Sequence, residues 1–289
     1  MSRLYEALRQ MEKENGKASP IASETMGPVE LVTGAIAEPT ELERTSSVQA
    51  NVPVGSRLVA FSDPKSLGAE KFRGLVTRLE NLRSQQELKS LQVTSSVRQE
   101  GKSLVAANLA ITLAQRNDSN ILLVEGDLYR PTLASLFGLA QRKGLRDWWS
   151  AKDENLSQYA CKVNDIPLWF LSAGLAEGQP SRILESTRFT EAFAKFSSFF
   201  DWIIVDSTPM SPTVDANLWS RLIDGTLLVV REGVAPVNSL KKGLAGLDNP
   251  RFVGIVLNET SEFDQVDYKD QYHAVPKDGT YASGSQKIK

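Results

Sequence analysis

The chain has 289 residues, 41% of them hydrophobic, enough for one sizeable core with flexible ends. Its 33 Lys plus Arg against 35 Asp plus Glu leave a net charge of −2, so no global basic field points to nucleic acid. A single cysteine, Cys161, and a single histidine exclude an intrachain disulfide framework and argue against a His/Cys metal site.

The opening stretch, MSRLYEALRQMEKENG, is charged throughout and lacks the apolar core of a signal peptide. No apolar run approaches the ~20 residues that span a bilayer, so a cytoplasmic protein is expected. Leu4, Ala7, Leu8 and Met11 recur at helical spacing and predict an amphipathic helix within 1–15. It reads as a partner-docking helix, a membrane-surface helix or a fraying end; the small apolar face and few basic residues make the membrane reading the weakest. Residues 16–55, rich in Ser, Thr, Pro, Gly and Glu, predict a flexible linker.

An ordered domain is expected over 56–262. Asp63-Pro64 marks a turn, after which Leu67, Phe72, Leu75, Leu79 and Leu82 follow a helical period. Short apolar runs at 91–94, 120–124, 167–171, 202–206, 226–231 and 252–257 predict strands. Helices are clearest at 102–116, 188–199, 214–222 and 237–247. This alternation predicts an α/β fold with a doubly wound, mostly parallel sheet covered on both faces. The polar stretch 263–289 predicts a disordered tail, and no internal repeat is visible.

Three stretches carry chemistry. In LQVTSSVRQEGKSLVAANLAITLAQ, residues 91–115, a strand runs through a loop into a helix. Backbone N–H groups at such a helix start form a concavity for phosphate. Ser96, Val97, Arg98, Gln99, Glu100, Gly101, Lys102, Ser103 and Leu104 are the candidate nucleotide-binding residues, with Lys102 for the β- and γ-phosphates and Ser103 for Mg²⁺. A turn that only caps a helix reads the same way in isolation. ILLVEGDLYRP ends a strand in Glu125 and Asp127, and DWIIVDSTP ends one in Asp206. Each acid alone reads equally as a helix cap or a solvated turn. Together, at the carboxyl ends of parallel strands, they point to a shared ligand crevice. Lys102, Glu125, Asp127 and Asp206 are the candidate catalytic residues, and Ser103, Glu125, Asp127 and Asp206 the candidate metal shell. Asn258, ending GIVLN, reads as a base contact or a turn cap, and Arg231 as a second residue of the base-pocket rim.

In this order the motifs FSDPKSLGAEKFR, EGKS with AANLA, GDLYRP, GLRDWW, LSAGLAEGQPSRIL, VDSTPM, VDA, LLVVREGV and GIVLN resemble the bacterial tyrosine kinases of capsule and exopolysaccharide synthesis over about residues 56–260. These are P-loop proteins with a deviant Walker motif, related to Min/Par-type ATPases. The resemblance implies an ATP- and Mg²⁺-dependent autokinase that phosphorylates tyrosines of its own tail, here Tyr268, Tyr272 and Tyr281. It also implies self-association into rings or smaller oligomers. A membrane-embedded polysaccharide co-polymerase would be the activating partner, recruiting the kinase to the inner face of the plasma membrane. On this reading Lys102→Met abolishes tail phosphorylation and leaves the fold intact.

The chain departs from the family at defined positions. Ser96 stands for a glycine, Arg98-Gln99 for Pro-Gly, Glu125 for the first Asp of Asp-x-Asp-x-Arg, and Tyr129 for its Arg. In the ring-forming helix Glu70 and Arg73 match Glu-x-x-Arg-x-x-Arg, but Val76 takes the last position. Two rival readings stay open: a nucleotide-binding pseudokinase that regulates the export machinery by docking, and a Min/Par-type positioning ATPase.

Overall fold

The structure is a computed structural model that describes Leu42 and residues 45–259, except 53–54, 117–118, 141, 165, 211–213, 235 and 246–250. The helix predicted within 1–15, most of the linker, and Tyr268, Tyr272 and Tyr281 lie outside the described residues.

Eight strands form one sheet: β1 (Ser46–Val48), β2 (Ser90–Ser95), β3 (Ile121–Glu125), β4 (Ala160–Val163), β5 (Leu168–Leu171), β6 (Trp202–Asp206), β7 (Gly225–Arg231) and β8 (Phe252–Asn258). Their order is β1-β4-β5-β3-β6-β2-β7-β8. All neighbours run parallel except β4 and β5, which are antiparallel. The six apolar runs of the sequence are β2, β3, β5, β6, β7 and β8. The first five of these are almost wholly buried, as expected of parallel strands covered on both faces. β1 was not expected, because it falls in the stretch read as linker and has one apolar residue, Val48; its structure comes from pairing with β4.

The helices are α1 (Val59–Ser62), α2 (Leu67–Arg83), α3 (Lys102–Arg116), α4 (Leu133–Leu136), α5 (Leu145–Ala151), α6 (Pro180–Leu184), α7 (Thr187–Ser197), α8 (Asp215–Leu222) and α9 (Val237–Ala245). Asp63-Pro64 does turn the chain, with Ser66 N–H on the Asp63 carbonyl. Ser66 then caps α2, its hydroxyl accepting the Ala69 N–H at 3.2 Å. Val105 through Ala114 of α3 are all buried, so this helix is enclosed between the sheet and α2 rather than lying on the surface. Its alanines at 106, 107, 110 and 114 permit that close approach. The core on this face includes Val76, Leu79, Leu109, Leu113 and Ile204. The other face buries Trp148, Trp219, Phe189 and Phe193 under α5, α7 and α8.

The chain leaves β2, crosses past the later position of β6 to make β3, and returns to β6 between them. The carboxyl ends of β2, β3 and β6 therefore meet, with Val93 paired to Asp206 and Asp206 to Glu125. Such a reversal of strand order opens a ligand crevice at those ends.

Candidate active site

The loop after β2 enters α3 and closes on itself through Glu100, which is fully buried. One oxygen, Oε2, accepts the Ser96 hydroxyl at 2.9 Å and the Val97 N–H at 2.8 Å. Oε1 accepts the Arg231 N–H at 3.3 Å. Ser96 is not among the non-glycine residues with positive φ, so a side chain is tolerated where the related loops carry glycine. Gln99 does take the left-handed region, at φ +66°. Arg231 donates from its guanidinium to the Gln99 carbonyl at 3.4 Å. Asn258 Nδ2 donates to the Glu100 carbonyl at 2.9 Å. Both residues thus brace the back of the loop. Gly101, at φ +91°, lies where a Cβ would fall 2.1 Å from Asn258 Nδ2.

The N–H groups of Arg98, Gln99 and Gly101 have no hydrogen-bond partner among the described residues, and α3 begins at Lys102. Arg98 is exposed and forms no described ion pair. This is a concavity of free donors at a helix start, the geometry that takes phosphate. Leu104 turns inward and packs against the core.

Lys102 reaches across the crevice. Its Nζ is 3.2 Å from Asp127 Oδ2 and 3.2 Å from Asp206 Oδ1. Burial alone would lower the lysine's pKa, but Asp206 and Asp127 together outweigh it and hold the ammonium above the ordinary lysine range. Burial pushes the Asp206 carboxyl up, against the pull of Lys102. Asp206 Oδ2 is buried without a hydrogen-bond partner. Asp127 Oδ1 accepts the Arg130 N–H at 3.0 Å, which fixes the turn after β3. The Ser103 hydroxyl is 3.2 Å from Lys102 Nζ and 3.0 Å from the Thr132 hydroxyl. Sequence reasoning missed Thr132; only the fold brings residues 127–132 over the phosphate loop.

Glu125, expected in the metal shell, has both carboxylate oxygens engaged by other donors. Oε1 accepts the Ala134 N–H at 3.0 Å, and Oε2 accepts the Ala173 N–H at 3.0 Å and the Ser172 hydroxyl at 3.3 Å. Its extra methylene lets it tie α4 to the segment after β5. Burial raises its pKa despite those donors. The remaining donor set fits a magnesium ion: the partnerless oxygen of Asp206, the Asp127 carboxylate and the Ser103 hydroxyl. No group of three or more His, Cys, Asp or Glu among the described residues could hold a metal without other donors. Magnesium is typically held by one or two carboxylates together with substrate phosphates and water.

In the helix expected to form rings, Glu70 and Arg73 pair with each other, and Arg73 also donates to the Pro64 carbonyl at 2.9 Å. Val76 is fully buried in the core. The face that offers a second arginine in the family therefore points inward at that position. Among the described residues no helix is long and apolar enough to cross a membrane.

No protein-family model matches the chain. Among curated proteins it is 30% identical over 209 residues to the putative tyrosine-protein kinase CapB of Staphylococcus aureus, covering 71% of this chain and 90% of that protein. It is 29% identical over 236 residues to the tyrosine-protein kinase YwqD of Bacillus subtilis (strain 168), covering 79% and 96%. Among solved structures, the chimerical protein CapA2B2 superposes with a TM-score of 0.66 at 25% identity, over 77% of this chain and 97% of that one. The septum site-determining protein MinD of Pyrococcus horikoshii OT3, solved with Mg-ADP, shares the fold at a TM-score of 0.50 and 20% identity, over 61% and 72%.

Proposed function

This chain belongs to the bacterial tyrosine kinases of capsule and exopolysaccharide synthesis, and we propose on that premise that it is an ATP-dependent protein-tyrosine autokinase controlling polysaccharide polymerisation and export. The observation that carries the reading is Lys102, held by Asp127 and Asp206 at the mouth of a loop with free N–H donors. A triphosphate offers a stronger set of partners to that ammonium than two carboxylates already sharing it. Lys102 would move to the phosphates, Ser103 and the loop N–H groups would cradle them, and Arg98 would add charge at the rim. Asp127 and Asp206 would then be free to hold Mg²⁺ with Ser103. When bound, that ion neutralises charge building on the phosphate oxygens. Glu125 has no part in this set, since its carboxylate secures the scaffold. Arg231 and Asn258 act by shaping the loop, and Asn258 would also contact the base. The acceptors are Tyr268, Tyr272 and Tyr281. A membrane-embedded polysaccharide co-polymerase is the partner that activates the kinase and brings it to the membrane, with self-association presenting one copy's tail to another.

The test is the intact mass of the full-length protein, made in a host without related kinases, before and after phosphatase. Phosphoryl groups mapping to the three tail tyrosines, and absent from Lys102→Met, are expected. An unmodified mass in the presence of Mg-ATP and the cytoplasmic part of a co-polymerase would replace the kinase reading with the pseudokinase one.

A further inference from the structure

Tyr129 replaces the family's arginine, and the structure gives its phenol a specific partner. Its hydroxyl is 3.2 Å from the Ser181 hydroxyl, and Ser181 donates to Asp215 Oδ1 at 3.2 Å. Asp215 is fully buried at the start of α8, and its second oxygen, Oδ2, has no partner. At the other end Tyr129 is 53% exposed. The chain thus runs from a buried carboxyl to the surface beside the active site. Trp219 of α8 anchors it, donating to the Gly126 carbonyl at 3.1 Å. Gly126 permits this closeness: an added Cβ would meet Val205 at 2.7 Å and the Trp219 indole nitrogen at 2.9 Å. Tyr129 stands two residues after Asp127, on the same turn whose Thr132 touches Ser103.

The hydrogens settle a direction. Ser181 has one proton and gives it to Asp215, so Tyr129 must donate to Ser181. The Tyr129 oxygen then keeps its capacity to accept a hydrogen bond, on a residue open to solvent. We propose that Tyr129, Ser181 and Asp215 form a proton relay that receives the hydroxyl proton of the phosphoryl acceptor, Tyr129 meeting the acceptor and Asp215 ending the chain.

The relay rests on the kinase reading above and deepens it. As the acceptor oxygen bonds to the γ-phosphorus and the bond to the leaving diphosphate oxygen breaks, the acceptor's proton passes to Tyr129. Tyr129's proton passes to Ser181, and that of Ser181 to Asp215, which becomes a neutral acid. After product leaves, the shifts reverse and the proton returns to solvent. The groups that bear on Asp215 favour its role as terminus. Burial raises its pKa, Asp127 and Glu185 raise it further, and only the Ser181 hydrogen bond opposes them. Its ionised form is required, so turnover falls as pH drops through this raised value.

Asp215 is enclosed, so the test uses the accessible end. Full-length wild type, Tyr129→Phe, Ser181→Ala and Ser181→Thr are compared with Mg-ATP for phosphotyrosine formation, with nucleotide affinity measured separately. A positioned acid–base group is worth roughly 10²–10⁴-fold in rate. Tyr129→Phe and Ser181→Ala should lower kcat by at least about 10²-fold, leave the nucleotide Kd unchanged and remove the acid limb of the pH profile. Ser181→Thr, which keeps the hydroxyl, should recover that limb. Wild-type kcat and an intact acid limb in Tyr129→Phe would overturn the relay and leave the kinase reading standing. If wild type transfers no phosphoryl group, the kinase reading and the relay built on it both fail, and carbon NMR of the aspartate carboxyls tests the hydrogen-bond chain alone. Ser181→Ala must then raise the Asp215 pKa, and an unchanged titration overturns the chain itself.

Discussion

Lys102→Met tests whether one lysine holds the site together before any nucleotide arrives. Its ammonium bridges two carboxylates at 3.2 Å each, and the three side chains are 12%, 9% and 0% exposed. Solvent screening reduces a surface pair such as Glu70–Arg73 to a few tenths of a kcal/mol, but it has little purchase here. Removing one partner of a buried pair costs about 3–5 kcal/mol, because the other charge is stranded. Against a native stability of about 5–15 kcal/mol the variant should fold, with a clear deficit.

The deficit should depend on pH. Without the lysine, the folded pKa of Asp206, already raised by burial, moves further above the unfolded value. Stability from proton binding is fully present below the unfolded carboxylate range and is lost as pH rises through the raised folded pKa. The variant should therefore lose more stability, relative to wild type, at about pH 8 than at about pH 5. Urea denaturation at both values, without nucleotide or divalent cation, reads this directly. Lys102→Met with Asp206→Asn should recover a large part of the loss, since contacting residues do not add. Equal deficits at the two pH values, or an additive double variant, would refute the pairing.

Three further changes probe the scaffold. Ser96→Ala removes a buried charge-assisted hydrogen bond to Glu100 and should cost about 1.5–3 kcal/mol in thermal unfolding, with weaker nucleotide binding by fluorescence titration. Gly101→Ala would place a Cβ 2.1 Å from Asn258 Nδ2 at φ +91°, so nucleotide binding should be lost while far-ultraviolet circular dichroism stays native. Glu125→Asp restores the family's residue yet shortens the arm that spans Ala134 and Ala173. It should lower stability by about 1–3 kcal/mol rather than raise activity, as a melting curve beside a kinase assay would show.

β3, β5 and β6 could be read from the sequence because burial on both faces makes them unbroken apolar runs, β3 and β6 ending in Glu125 and Asp206. β1, with Ser-Ser-Val, and β4, four residues long, carry no such signal; their pairing is supplied by neighbours far along the chain. The meeting of Lys102, Asp127 and Asp206 was legible for the same reason, since acids that end adjacent parallel strands must be close. Which way a side chain turns was not legible. Glu125 and Asp206 are register partners on neighbouring strands, yet one carboxylate faces the backbone of α4 and the other the lysine. Arg231 and Asn258 likewise end strands at the crevice, but their polar groups find the phosphate loop's own carbonyls first. The stability that Lys102 contributes was not legible either, because its pairing with Asp206 joins positions 104 residues apart and leaves no local mark.

The departures from the family bear on whether the site still works. A site released from function first sheds what is costly to keep. A buried lysine between two carboxylates is costly, since well-packed apolar residues in its place are often as stable or more so. Here that cluster persists, with an oxygen of Asp206 still unpartnered. Three of the substituted residues, meanwhile, have partners: Ser96 bonds Glu100, the longer Glu125 spans two segments, and Tyr129 reaches Ser181. Retention of the costly cluster, with partners found for Ser96, Glu125 and Tyr129, favours a working site over a released one.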